Sequence, residues 1–198
     1  MSTQNPSPQR QISLGFTTEQ YPEGKHICYL YSDEDECKRF MEAYVSSGIK
    51  QGDAVVYLVD ATPEMPELAT AGLCPEAAPC PNGRFVPQVM LGTLHELYTS
   101  RAAECEGARV TGEMGWALHN IPGSERLIEY EGGINKLLLT DHFTELCQYG
   151  LRRFNGAMIS ELLNVHPVMI VNGQIMRNPF HVAPVPGDGA TDENRDRQ

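Results

Sequence analysis

The sequence lacks several features that would announce a common function. It has no C-x-x-C pair, which excludes the standard spacing of zinc ribbons and thioredoxin-type redox sites. It has no apolar run of about 18 residues, the length a membrane-spanning helix needs. The first ten residues are polar and carry no apolar h-region, so no secretory signal is expected. Basic side chains are few: 15 Lys and Arg against 26 Asp and Glu leave a net charge of −11. A phosphate backbone demands a basic face, so direct nucleic-acid binding is not expected, nor is binding to an anionic membrane. No G-x-S-x-G elbow marks a serine nucleophile.

What is present points to one ordinary domain. A chain of 198 residues can bury a substantial core without disulfides. Its six cysteines (Cys28, Cys37, Cys74, Cys80, Cys105, Cys147) are scattered and read as reduced thiols of a cytoplasmic protein. Residues 1–14 read as a flexible N-terminal segment, and 15–183 as the folded domain. Residues 184–198 read as a disordered acidic tail, because neither end has enough apolar surface to offset ordering entropy.

Within the domain, strand-like and helix-like segments alternate. His26–Tyr31 (HICYLY) and Ala54–Asp60 (AVVYLVD) are short, continuous apolar runs typical of buried strands. Between them, Cys37, Phe40, Met41, Tyr44 and Val45 recur at helical spacing, with Ser32 as the expected cap and Gly48 as the expected stop. A short helix over 64–71 and a Pro-rich loop over 72–83 follow. Phe85–Val89 reads as a strand and Leu91–Cys105 as a helix. Ala108–Met114 reads as a strand, Ser124 as the cap of the next helix, and Glu145–Tyr149 as another strand. Asn155 caps a further helix, and Asn172-Gly173 forms a hairpin turn joining Val168–Val171 to Gln174–Arg177. This alternation predicts a three-layer α/β fold, a mainly parallel sheet with helices on both faces. Ligands in such folds sit beyond the C-terminal ends of the strands.

The first strand-to-helix turn, Tyr31-Ser32-Asp33-Glu34-Asp35-Glu36, has no glycine and no lysine. Its four carboxylates complement a helix N-terminus but repel a phosphate. His26 and Cys28 share one face of their strand, either as core or pocket-wall residues or as metal ligands. Glu113 stands beside the only tryptophan, Trp116, among glycines. Its role stays open between base, metal ligand, hydrogen-bonding anchor and plain turn residue. Glu131 falls near the apolar stripe of its helix, so a partner is required, with Arg109, Arg126 or Arg152 as candidates. Cys147 and Tyr149 end a strand, and His166 sits near a helix C-terminus, where it favours the dipole. Cys74 and Cys80 flank the Pro-rich loop, either as unremarkable thiols or as a redox or metal pair. Asn178 is expected to bond local backbone in a turn.

Taken in order, these segments resemble the MEDS domain, the methanogen/methylotroph sensory domain of dichloromethane-regulator-type proteins. The matching stretches are Gly24–Tyr31, Gly48–Asp60, Arg109–Met114 with Trp116, Leu127–Glu131, Leu146–Tyr149 with Arg152–Phe154, His166-Pro167 and Asn178-Pro179. The resemblance covers about residues 15–183. It implies a RecA-like core that lacks a phosphate-binding loop. It also implies a sensory role toward small hydrocarbon derivatives, usually coupled to a DNA-binding or histidine-kinase output. The sequence shows no such output segment after residue 183, so a stand-alone sensor acting through a partner regulator, a kinase or a homo-oligomer is expected.

The expected ligand site comprises His26, Tyr29, Glu113, Trp116, Cys147, Tyr149 and His166, with cofactor and metal left open. Three other readings compete with it. One is a metal-assisted enzyme using Glu113 with His26 or His166. Another is a degenerate RecA-like nucleotide-binding scaffold. The third is an interaction protein docking through Phe180–Val185.

Overall fold

The computed structural model describes residues 9–58, 84–102 and 104–183. The segment read as a helix and Pro-rich loop over 64–83, with Cys74 and Cys80, lies outside them, as does the acidic tail.

The predicted alternation forms a six-stranded sheet. Five strands are parallel: β3 (His26–Tyr31), β4 (Asp53–Leu58), β5 (Gly107–Glu113), β6 (Phe143–Gly150) and β7 (Val168–Val171). The last strand, β8 (Gln174–Arg177), returns antiparallel to β7 through the Asn172-Gly173 turn. Both turn residues have positive φ, 50° and 70°, as this tight hairpin requires. The order across the sheet is β4-β5-β6-β3-β7-β8. The apolar β3 and the longer β6 therefore sit at the centre, buried at every position.

The fold is α/β with a layer on each side of the sheet. On one side lies α1 (Glu34–Lys50), together with a small antiparallel ribbon, β1 (Gln11–Ser13) and β2 (Gln20–Pro22). On the other lie α2 (Pro87–Ala102), α3 (Leu127–Leu137) and α4 (Gly156–Val165). Strand alternation divides the side chains accordingly. Ile27, Tyr29 and Tyr31 meet α1, whereas Cys28 and Leu30 join the core beneath the other three helices. Each large apolar side chain buried in these two cores contributes on the order of 1.5–3 kcal/mol.

Several local expectations are corrected. The cap of α1 is Asp33 rather than Ser32: its Oδ1 accepts from the Glu36 amide at 2.9 Å. Asp33 wins because it has the extended backbone that a cap needs, one residue later in the turn. Gly48 does not stop α1 but packs inside it. A Cβ there would come 2.7 Å from Val55 Cγ2, so the glycine allows close approach of helix and sheet. The chain turns instead at Gly52, with φ +77°. Phe85 begins no strand. Pro87 opens α2 from its first turn, where a missing amide costs nothing, and Phe85 instead packs on Trp116 with centroids 4.4 Å apart. Ser124 starts a single 3-10 turn ahead of α3 and makes no capping bond. Asn155 does cap α4, its Oδ1 accepting from the Met158 amide at 3.0 Å.

Candidate functional site

A charged residue on a buried helix face starts the site. Glu131 lies on the face of α3 that packs against the sheet and is fully buried. None of its expected arginine partners reaches it. Arg109 sits on the opposite side of the sheet and holds Asp53 at 2.6 Å. Arg126 pairs with Glu129 at 2.6 Å, and Arg152 is exposed. The partners are histidines instead. His26 Nε2 stands 3.0 Å and His166 Nε2 3.4 Å from Glu131 Oε2.

The fold brings these groups together for identifiable reasons. His26 is the first residue of β3, on the same face as Cys28. Cys147 is level with Cys28 on the neighbouring β6 and shares that face. Its Sγ lies 3.4 Å from Glu131 Oε2 and 3.6 Å from His26 Nε2. Two positions further along β6, the Tyr149 hydroxyl donates to Glu131 Oε1. His166 follows the last residue of α4, and its ring tilts over His26 with centroids 4.0 Å apart.

Each ring is anchored by its far nitrogen. His166 Nδ1 lies 2.7 Å from the Leu162 carbonyl and donates to it. His26 Nδ1 lies 3.1 Å from Asn135 Oδ1. The orientation of that amide follows from its other end, where Asn135 Nδ2 donates to the Val165 carbonyl at 2.6 Å. Asn178 closes the turn, donating to the carbonyls of Leu163 and His166 at 2.6 and 2.7 Å.

The electrostatics are those of a dry interior. Burial drives His26 down to about 4, helped by neighbouring His166 and opposed by Glu131. Burial alone would raise Glu131, but protonated His166 and His26 outweigh it through hydrogen bonds and charge and hold the carboxyl well below its ordinary range. Burial, then the Glu131 charge, pushes the Cys147 thiol and the Tyr149 hydroxyl well up. Glu145, also buried, is raised by the same two causes, and its Oε2 has no hydrogen-bond partner among the described residues.

Of the predicted ligand residues, His26, Cys147, Tyr149 and His166 therefore form one cluster. Glu113 and Trp116 lie elsewhere, bordering a water-sized hollow of about 10 Å³ with Glu145 and Tyr130. The Glu113 carboxylate is held by Arg153 at 2.6 Å, at the C-terminal end of β5. Its pairing with His26 or His166 is thus not formed. Tyr29 faces α1 and stacks on Phe40, with centroids 4.1 Å apart. Sequence reasoning missed Glu131 as the centre and Asn135 as its neighbour. The available signal was a lone carboxylate on an apolar helical stripe.

The cluster also sits away from the C-terminal edge of the sheet expected to bind ligands, because His26 begins β3 and His166 precedes β7. An open groove of about 650 Å³ between α2 and α3, past Leu91, Glu129 and Lys136, includes none of the predicted residues.

Comparison with known proteins places this geometry in a family. No curated protein sequence matches the chain. Among solved structures it is similar to a KaiC-like protein from the hyperthermophilic archaeon Pyrococcus horikoshii, with a TM-score of 0.57 at 12% identity. That match covers 82% of this chain and 80% of the other. It is also similar to an ATPase from the type III secretion system of pathogenic bacteria, with a TM-score of 0.51 at 8% identity. Here 86% of this chain spans 60% of that one. At such identities the likeness speaks for the RecA-like α/β fold alone. The sequence itself matches the methanogen/methylotroph DcmR sensory domain over residues 25–167, the stretch that runs from the start of β3 to the turn after His166. The chain belongs to the MEDS family of sensory domains.

Proposed function

We propose that this chain senses a small molecule, a hydrocarbon or one-carbon derivative, and passes the response to a partner regulator, a histidine kinase or a second copy. The responsive element is the cluster around Glu131. One observation carries this reading: a carboxyl group, two imidazoles, a thiol and a phenol lie fully buried where β3, β6, α3 and α4 meet. Changing the charge or contacts of such a dry cluster shifts the packing of α3 and α4, and a ligand signals only by favouring one packing over another.

A nucleotide is a poor candidate for the signal. At the β3–α1 turn, the Asp33 carboxylate already occupies the Glu36 amide, and Glu34, Asp35 and Glu36 surround it. A phosphate there would meet like charges. Phe180 and Val182 are exposed beside α4 and supply an apolar route outward to a partner.

The test is thermal denaturation of the full chain with small alcohols, carboxylates and halogenated hydrocarbons, and with magnesium-ATP. At least one hydrocarbon derivative is expected to raise Tm in the wild type and not in Glu131→Gln, with no response to ATP. A panel without effect, or stabilisation by ATP, would overturn the reading.

A further inference from the structure

The geometry points to a metal site: His26, Glu131, Cys147 and His166 form a tetrahedral cage for a divalent transition metal of the zinc class. This deepens the reading above, because the same cluster is the proposed responsive element. Each residue offers one ligand atom, and all lie within 4.8 Å of one another; the short contacts among them join both imidazole Nε2 atoms, Glu131 Oε2 and Cys147 Sγ. Ligands at the usual zinc distances, about 2.0–2.3 Å, stand about 3.3–3.6 Å apart around a tetrahedral ion. Four of the six separations run from 3.0 to 3.6 Å: 3.0 for His26–Glu131, 3.4 for His166–Glu131, 3.4 for Cys147–Glu131 and 3.6 for Cys147–His26. The two remaining pairs lie within 4.8 Å.

Proton positions independently support a cation. The Leu162 carbonyl only accepts, so His166 carries its proton on Nδ1. In the neutral ring its Nε2 is then a bare lone pair, buried and without a hydrogen-bond partner among the described residues. It points toward another acceptor, Glu131 Oε2. Asn135 Oδ1 likewise takes the Nδ1 proton of His26, leaving that Nε2 lone pair facing the same oxygen. Two imidazolium rings with centroids 4.0 Å apart would repel, so protonating both does not relieve the conflict. A metal ion satisfies all of these lone pairs at once.

The outer shell is built as metal sites require. Each histidine donates its far N–H to a fixed oxygen, and Tyr149 occupies Glu131 Oε1, leaving Oε2 alone to bind. The charges close as well. A divalent ion with one thiolate, one carboxylate and two neutral imidazoles is neutral overall, the cheapest state in a low-dielectric core. On binding, the Cys147 S–H proton leaves to solvent as the sulfur–metal bond forms, so one proton is released per ion. The mixed nitrogen, sulfur and oxygen donors suit zinc, and cobalt(II) serves as its spectroscopic stand-in. Four protein ligands fill the tetrahedron, so the site is closed and clamps α3 and the end of α4 to the sheet.

The test uses the purified full chain, measuring metal per chain by mass spectrometry and then titrating metal-free protein with cobalt(II). One equivalent of metal is expected, with a thiolate-to-cobalt charge-transfer band and the intense visible bands of tetrahedral cobalt. Cys147→Ser should lose the charge-transfer band. Tyr149→Phe should weaken binding by about 10–100-fold while keeping the band, the usual effect of removing an outer-shell partner. Cys37→Ser, on the α1 side of the sheet, should change neither. Folded wild-type protein that takes up no cobalt, or a charge-transfer band that survives Cys147→Ser, overturns the proposal. Should Cys147→Ser fail to fold, folded wild-type protein that binds cobalt without a thiolate-to-cobalt charge-transfer band would overturn it equally. A protein that responds to small molecules but binds no metal refutes this site and leaves the sensory reading standing. Metal binding without any such response does the reverse.

Discussion

The two sides of the central sheet each bury charge, and they resolve it differently. On the α1 side, Asp53 accepts from Arg109 Nε and Arg10 Nη1, both at 2.6 Å. Arg109 Nη1 also donates to the Ser13 carbonyl at 2.9 Å, and its guanidinium lies 5.2 Å from the Tyr44 ring centre. Most donors there meet acceptors, and the ribbon of β1 and β2 is tied to the sheet as a result. On the α3–α4 side, acceptors outnumber donors: Glu131 Oε2 accepts from the Cys147 thiol but also faces two imidazole nitrogens whose protons are engaged elsewhere. In the first arrangement the Asp53 carboxylate is satisfied by protein atoms alone, although Arg109 Nη2 has no hydrogen-bond partner among the described residues. The second has the donor deficit of a ligand shell, which separates a structural ion pair from a candidate site.

The largest expected effect tests the structural side. Asp53→Ala strands the buried Arg109 and should lower unfolding free energy by about 3–5 kcal/mol in urea denaturation. Metal content of the folded fraction should stay unchanged. Next comes the other side, by chelation. With zinc held near 100 times its dissociation constant, stripping the metal should remove about 2.7 kcal/mol of stability. Glu131→Gln should abolish that chelator sensitivity, whereas Asp53→Ala should keep it.

The pH dependence of metal-free protein sharpens the contrast further. His26 is held to about 4 when folded, below its unfolded value of about 6.5, so the unfolded chain binds the extra proton. Its contribution is full above about pH 6.5 and is lost progressively as pH falls toward 4. Glu145 has the opposite sign. Its carboxyl is raised by burial, so its contribution is present at acid pH and is lost as pH rises. Glu145→Gln should therefore stabilise the protein at pH 7 by about 1–2 kcal/mol and flatten that limb of the curve, read by urea titrations across pH.

The smallest effects compare the helix caps. Asp33→Ala and Asn155→Ala should each cost about 1 kcal/mol. Only Asn155→Ala, on the helix leading into His166, should also weaken cobalt binding.

The strands and most helices were legible because their signals are local. HICYLY and AVVYLVD are apolar runs of strand length, and Asn172-Gly173 sets its own turn. Asn155 caps the helix beside it for the same reason. Two errors, unlike the one-residue slip of the α1 cap, fell where a partner outside the segment decides. Phe85 looks like a strand residue until Trp116 and Pro87 compete for it. Gly48 looks like a helix stop until Val55 is packed against it.

The same division holds for the site. The acidic Tyr31–Glu36 turn, readable in six consecutive residues, already argued against a phosphate. The absence of C-x-x-C excluded only metal sites written in local spacing. The Glu131 partners were beyond such reading, since His26 lies 105 residues before it in sequence and Cys147 lies 16 after it on a different element. Periodicity determined that Glu131 faces the core and that a buried carboxylate must find a partner. Only the parallel pairing of β3 with β6, and the return of α4 to the start of β7, decided that it would find two histidines and a thiol rather than an arginine. Helix and strand periods are set by the backbone over a few residues, whereas ligand convergence is set by which strands become neighbours in the sheet.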